Sequence, residues 1–321
     1  MTRNLYKILG NRSIVLVITF VAMLLVFAFT TPEFLSLSKL LGITQFGAPL
    51  VLLTMGEALV ILLGQSGIDL SISSNMSLSG VAFGYLTVSG LNIFFAAILT
   101  FVFSYLLGSI NGYAISYLGF SPMITTLGSM YIFESVALYV TKGKPISGFP
   151  MNLSWLGHGD ILGVPNQILF VVAPIVLAFW YICEKTGAGR RLYLTGSNNQ
   201  AAELTGLDPK RLRFVVYGIA GLMSGVAAVI MSAWLMTSKA DVGKGMEMQA
   251  ITAAILGGFS INGGTGKISG VVLAVLLLTT IKSGLQMSNI SSVIQLGVLG
   301  ALLIGVLIID SGIKNKSVSH C

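Results

Sequence analysis

The sequence predicts an all-α, polytopic membrane protein, and three observations carry that reading. Hydrophobic residues make up 55% of the chain and charged ones only 9%. Apolar runs of about 18 residues or more, the length a helix needs to cross hydrocarbon, recur from end to end. The alternating pattern of barrel strands is absent, so the backbone groups in these runs have to be satisfied inside helices. At 321 residues and a mean hydropathy of +0.90, the chain has almost nothing left for a soluble domain. Residues 1–321 read as a single transmembrane domain.

The expected spans follow in order. Helix one covers residues 13–29. The basic residues Arg3, Lys7 and Arg12 before it imitate a signal peptide, yet the apolar run is long for a cleavable segment and Ala28-Phe29-Thr30 is a poor cleavage signature, so a retained helix is expected. Helix two covers residues 43–63 and stops at Gly64-Gln65-Ser66-Gly67. Helices three, four and five cover 71–88, 93–117 and 121–140. A loop rich in lysine and proline leads to helix six, 166–183. After the long polar loop 184–213, helix seven runs over 214–236, a short segment eight over 248–260, helix nine over 268–286 and helix ten over 291–309. That makes about ten crossings. With the N-terminus inside, 12 of the 18 Lys and Arg residues fall on the cytoplasmic side and 6 outside. Positive charge concentrates on the cytoplasmic face, so both termini are expected there.

Two segments are broken by glycine. Segment eight is too short to span unaided and ends in Gly257-Gly258 and Gly263-Gly264-Thr265-Gly266; helix two ends in the stretch from Gly64 to Asp69. Irregular backbone is tolerated within a membrane where it is buried in protein or lines a cavity, so both breaks point to a pathway. Gly-x-x-x-Gly pairs at Gly80/Gly84, Gly108/Gly112 and Gly221/Gly225 say less. With 38 glycines in 321 residues, such pairs arise by chance about as often as they occur.

Several chemistries are excluded. The net charge of +7 suggests nucleic acid, but the Lys and Arg residues flank apolar runs and form no stripe. Cys183 and Cys321, His158 and His320 have no metal or redox spacing. Residues 262–268 look like a phosphate-binding loop, but Ile261 stands where its first glycine belongs and Ile268 where Ser or Thr should bind Mg²⁺. Neither a cofactor nor a catalytic residue is expected in this chain. An intramembrane enzyme would need paired ligands or a serine–histidine arrangement within the spans, and the sequence has neither.

Three acids lie in or beside apolar runs, where an unpaired carboxylate is costly. Asp69, with Ser71, can cap helix three, with a substrate role as the alternative. Glu57 and Glu134 each need a partner such as an amide or a lysine, or else serve a pathway. Ser71, Ser73, Ser74 and Asn75 after the first break are candidate hydrogen-bonding groups for a neutral solute, and Gly257 and Gly258 mark the second break. In the polar loop, Ser197-Asn198 can cap a short helix through Leu204, with Gly206 ending it. A passive linker has no use for Ala201-Ala202-Glu203-Leu204 in helical form. A short capped helix on the cytoplasmic face suits docking into a groove of another protein.

Gly67-Ile68-Asp69-Leu70-Ser71 resembles the signature of permease subunits of ribose-type ABC importers. Gly189-Arg190, Tyr193, Gly196, Asn198, Ala201 and Gly206 resemble that family's cytoplasmic loop, and Ala250 to Gly258 with Ser260 and Gly263 to Gly266 resemble its third signature. The set extends in order over most of the chain. Ser66 and Ser73 stand where the family has glycine, and Glu134 lies where relatives commonly carry arginine. These departures bear on the substrate, because they change polarity along the pathway. The resemblance implies a permease in a bacterial plasma or inner membrane, moving a monosaccharide or similar small polar solute. It implies a second permease subunit, an extracytoplasmic solute-binding protein, and a cytoplasmic ATPase that carries the ATP and Mg²⁺. Asn198, Ala201, Ala202, Glu203 and Gly206 would then form the coupling helix against that ATPase. A secondary transporter, or an importer of an autoinducer, nucleoside or amino acid, is the alternative.

Overall fold

The computed structural model describes residues 12–31 and 34–291, with scattered residues as far as 304. About half of the expected helix ten, residues 291–309, therefore lies outside the described residues, as do Arg3 and Lys7. The long helices are α1 (Arg12–Thr30), α2 (Leu37–Leu62), α3 (Ile72–Val88), α4 (Ile93–Ser116) and α5 (Pro122–Thr141). A short α6 (Ser154–His158) and a two-residue hairpin, β1 (Asp160–Ile161) with β2 (Val164–Pro165), follow. This hairpin is the small departure from an all-α chain. A π-helical turn (Ile168–Val172) then runs into α7 (Ala173–Lys185). Pro174, one residue into α7, has no N–H and would crowd the carbonyl four residues back, which the wider turn relieves.

The polar loop is not a loop. It folds as α8 (Gly187–Ser197) and α9 (Asn199–Leu204), and α10 (Pro209–Leu235) begins five residues before the expected Phe214. Each start has a local cause. The Thr186 hydroxyl accepts the Gly189 N–H, Asn198 caps α9, and the Asp208 carboxylate accepts the Arg211 N–H at 3.0 Å, with Pro209 preset for a first helical turn. α11 (Met246–Leu256) and α12 (Ile268–Met287) complete the set.

Among the described residues, six helices are long and apolar enough to cross a membrane, and the protein is a multi-pass membrane protein. α2 is the central post. Of its most apolar window 89% is buried, against 17% for α5. α2 packs on α10, α11, α12 and α3, while α10 also crosses α4. The α4–α10 crossing depends on small residues. A Cβ on Gly108 would lie 2.9 Å from the Gly221 Cα, and one on Gly225 would strike Ser104. Two of the Gly-x-x-x-Gly pairs that counting could not distinguish from chance thus face each other, letting two backbones touch. The outer faces of α4 and α5 carry exposed apolar side chains, including Phe94, Ile110, Ile124 and Ile132.

Candidate functional site

The two glycine breaks and the end of α8 meet at one point. Gly64 (φ +69°) follows α2 in the left-handed region, and Gln65 (φ 52°) and Ser66 (φ 57°) continue there, an uncommon conformation for residues with side chains. The Gly264 N–H donates to the Leu62 carbonyl at 2.9 Å, joining the second break to the end of α2. Gly196 fits between them: its Cβ would overlap the Leu62 carbonyl and lie 2.7 Å from the Gly264 nitrogen. The Tyr193 hydroxyl donates to the Gly266 carbonyl at 2.9 Å. Burial pushes this hydroxyl up to about 12, helped by the Cys183 thiol and the Glu184 carboxylate, so it stays a donor at neutral pH.

A polar cluster ties α9 to the first break. The Arg213 guanidinium donates to Gln65 Oε1 at 2.5 Å. In the orientation that satisfies both ends of its amide, Asn199 donates to the Thr195 carbonyl (2.7 Å) and accepts from Arg213 (3.1 Å) and Gln65. These groups border a polar cleft of about 390 Å³ that also includes Ser116, Phe120 and Glu203.

α9 itself has the form the residues suggest. Asn198 Oδ1 accepts the Ala201 N–H at 3.0 Å, and Gly206 (φ +81°) ends the helix, with the Leu207 N–H on the Ala202 carbonyl. The faces are divided unequally. Ala202 is fully buried against the permease and Ala201 half-buried, whereas Glu203 and Leu204 face outward, Leu204 being 91% exposed. Sequence reasoning passed over Leu204; its signal was an apolar residue on the polar side of a short helix.

A second cleft, of about 270 Å³, opens between α3, α5 and the segment before α11. Ser73, Ser74 and Ser77 line one side, Glu134 and Tyr131 another, and Asp241, Lys244 and Glu247 the third. Ser73 Oγ donates to Glu247 Oε2 at 2.5 Å, the Gly243 N–H donates to Ser77 Oγ at 2.9 Å, and Lys244 Nζ lies 3.8 Å from Glu134 Oε1. Lys244 is thus the partner that Glu134 required. The irregular backbone beside this cleft precedes α11: Ser238 rests by Gly84, and Gly243 rests on the Ser73 carbonyl.

The other residues expected to line a pathway do not line this cleft. Asn75 Nδ2 donates to the Ser104 carbonyl of α4 at 3.1 Å. Asp69 Oδ1 accepts both the Ser71 N–H (2.9 Å) and the Ser71 hydroxyl (2.6 Å), so it fastens the residue before α3 and leaves the helix's own first N–H groups to others. Asn111 Nδ2 donates to the Ser71 oxygen at 2.8 Å, and the Ser129 hydroxyl donates to Asn111 Oδ1. The Asp69 N–H donates to Glu57 Oε1 at 3.1 Å, the amide partner Glu57 required. This chain of bonds ties α5, α4, the first break and α2. Gly257 and Gly258 sit at the far end of α11 from the cleft, where a Cβ on Gly257 would lie 2.7 Å from the Val271 nitrogen of α12.

The family described as the branched-chain amino acid transport system / permease component matches residues 39–307, most of the chain and both breaks included. The chain belongs to this permease family. It is 33% identical to the autoinducer 2 import system permease protein LsrD of Enterobacter sp. (strain 638) over 92% of this chain and 91% of that one. It is likewise 33% identical to the ribose import permease protein RbsC of Bacillus subtilis (strain 168), over 90% and 89% of the two chains. Identity to the probable ABC transporter permease protein y4mJ of Sinorhizobium fredii is 35%, over 86% and 83%. No solved structure matches the chain.

Proposed function

We propose that this permease is the membrane subunit of an ABC importer for a monosaccharide or similar small neutral solute, working as a dimer in the bacterial inner membrane. The reading rests on one observation above all: α8 and α9, outside the apolar spans, touch both glycine breaks through Gly196 and the Gln65–Asn199–Arg213 cluster. A cytoplasmic ATPase that binds α9 through Leu204, Glu203 and the Asn198 cap could move both breaks with one displacement. A switch of this kind requires different contacts in its two states, and a sliding glycine contact supplies them. The ten-crossing topology with cytoplasmic termini belongs to the same proposal, as does delivery of solute by an extracytoplasmic binding protein.

The cleft of Ser73, Ser74 and Ser77 is the proposed solute route, because a neutral hydroxylated solute needs hydrogen-bonding groups and apolar walls. Its acids outnumber its lysine, which disfavours anionic cargo. Ribose and autoinducer 2 appear in the names of relatives, and both are the first solutes to try. The test is uptake into proteoliposomes carrying the permease, its ATPase and its binding protein. ATP-dependent accumulation that survives collapse of ion gradients supports the importer. Uptake that follows an ion gradient without ATP supports a secondary transporter instead.

A further inference from the structure

Glu57 and Asp69 form a buried pair of carboxyl groups beside the first break, outside both clefts described above. Glu57 is fully buried on α2 and Asp69 is 1% exposed. Among the described residues no ion pair reaches either one. Two ionised carboxylates side by side in an apolar interior, with no countercharge, cost far more than one carboxylate beside a neutral carboxylic acid.

The hydrogen bonds identify which group keeps its charge. Asp69 Oδ1 accepts two donors from Ser71, which stabilises a carboxylate. Glu57 accepts a single backbone N–H on Oε1, and its Oε2 has no hydrogen-bond partner among the described residues. The hydroxyl of Tyr217 on α10 is in the same state: it is 1% exposed and has no partner among the described residues. A metal cation would need about six oxygen ligands. Here one Asp69 oxygen is committed to Ser71, and α2 and α10 are in contact beside the pair, since a Cβ on Gly56 would lie 2.9 Å from the Ala220 Cα.

The remaining ionisable groups on the elements packed around α2 are exposed, as Tyr85, Arg190, Arg191, Lys210 and Arg211 are, or engaged elsewhere. Arg213 binds Gln65, Glu247 accepts from Ser73, Lys282 of α12 lies over the Phe46 ring, and Tyr193 of α8 donates to Gly266. We propose that Glu57 is a proton-binding site, carrying a proton on Oε2 while Asp69 remains ionised. The proton leaves the buried break with one negative charge, held by Ser71 and, through it, by Asn111.

Infrared difference spectroscopy on the full-length permease in lipid vesicles tests this. The stretch of a protonated carboxyl should be present in the wild type at neutral pH, shift in heavy water, disappear in Glu57→Gln and persist in Asp69→Asn. Sodium should not alter it. A spectrum in which Glu57→Gln removes no such band overturns the proposal. So does a band lost in Asp69→Asn but kept in Glu57→Gln, which would put the proton on Asp69. A band seen only in sodium-free buffer would make this a cation site and equally refute it. If Glu57→Gln does not assemble, Glu57→Asp takes its place: it should keep a protonated-carboxyl band at a shifted frequency, and a band that does not move overturns the proposal.

Discussion

Gly196 and Leu62 are in backbone contact, so that no side chain larger than hydrogen fits at residue 196. The contact joins the last turn of α8 to the last turn of α2. Gly196→Ala should destabilise the permease by about 1–3 kcal/mol through overpacking, or move α8 away and cut uptake. Gly187, whose Cβ would meet nothing closer than the Arg190 guanidinium at 3.8 Å, should accept alanine with normal uptake. Equal behaviour of the two variants in thermal unfolding and in uptake would remove the packing argument.

Leu204 should be an anchor for the ATPase. It is 91% exposed, so Leu204→Ala should leave membrane levels unchanged. Truncating a central apolar anchor costs about 2 kcal/mol or more of binding, roughly thirtyfold in affinity. Pull-down and ATPase stimulation in the complex measure this. Ala202 is fully buried, so Ala202→Leu should disturb the permease's own packing and lower its level in the membrane.

If the cleft of Ser73, Ser74 and Ser77 is the solute route, Ser73→Val should lower uptake while ATP hydrolysis continues, because the side chain that meets Glu247 becomes apolar. The Lys244–Glu134 pair should matter little to stability. Lys244 is 77% exposed, and exposed pairs contribute about 0.2–1 kcal/mol. A double-mutant cycle on unfolding that exceeds this range would show that the pair is more shielded than its geometry implies.

Tyr193 gives a pH signature. Its folded hydroxyl is raised from 10.0 to about 12. The stabilisation is therefore complete below pH 10 and is lost as pH rises from there through the folded value. Tyr193→Phe should flatten the alkaline fall in unfolding temperature, and an unchanged fall would contradict the burial of that hydroxyl.

Much of the fold was legible because long apolar runs leave few alternatives, and the predicted spans and observed helices differ by a few residues at most ends. Within the polar loop only the helix through Leu204 was read, because the buried face of α8 is Gly189, Leu192, Thr195 and Gly196, with one large apolar side chain among them; the Thr186 cap of α8 and the Asp208 cap of α10 were the available clues. The α9 cap at Asn198 was legible, since an Asn followed by helix formers and a glycine is a local signal. The cleft was only half legible. Ser73 and Ser74 line it, but Asp69, Ser71 and Asn75 turn inward, because the direction of a side chain near a helix start depends on neighbours far along the chain. The same holds for Gly108 and Gly221, whose meaning lies in facing each other across 113 residues.

The most direct test of the central claim, that α9 drives the first break through Arg213, is to measure solute uptake and ATP hydrolysis together in the reconstituted complex of Arg213→Met. Losing a charged hydrogen bond of this kind is worth about 1.5–3 kcal/mol, so uptake per ATP hydrolysed should fall about tenfold or more with the ATPase still bound. Lys210, on the same helix turn and exposed, serves as the control for charge alone. Uptake and hydrolysis in Arg213→Met that keep the wild-type ratio would contradict the account.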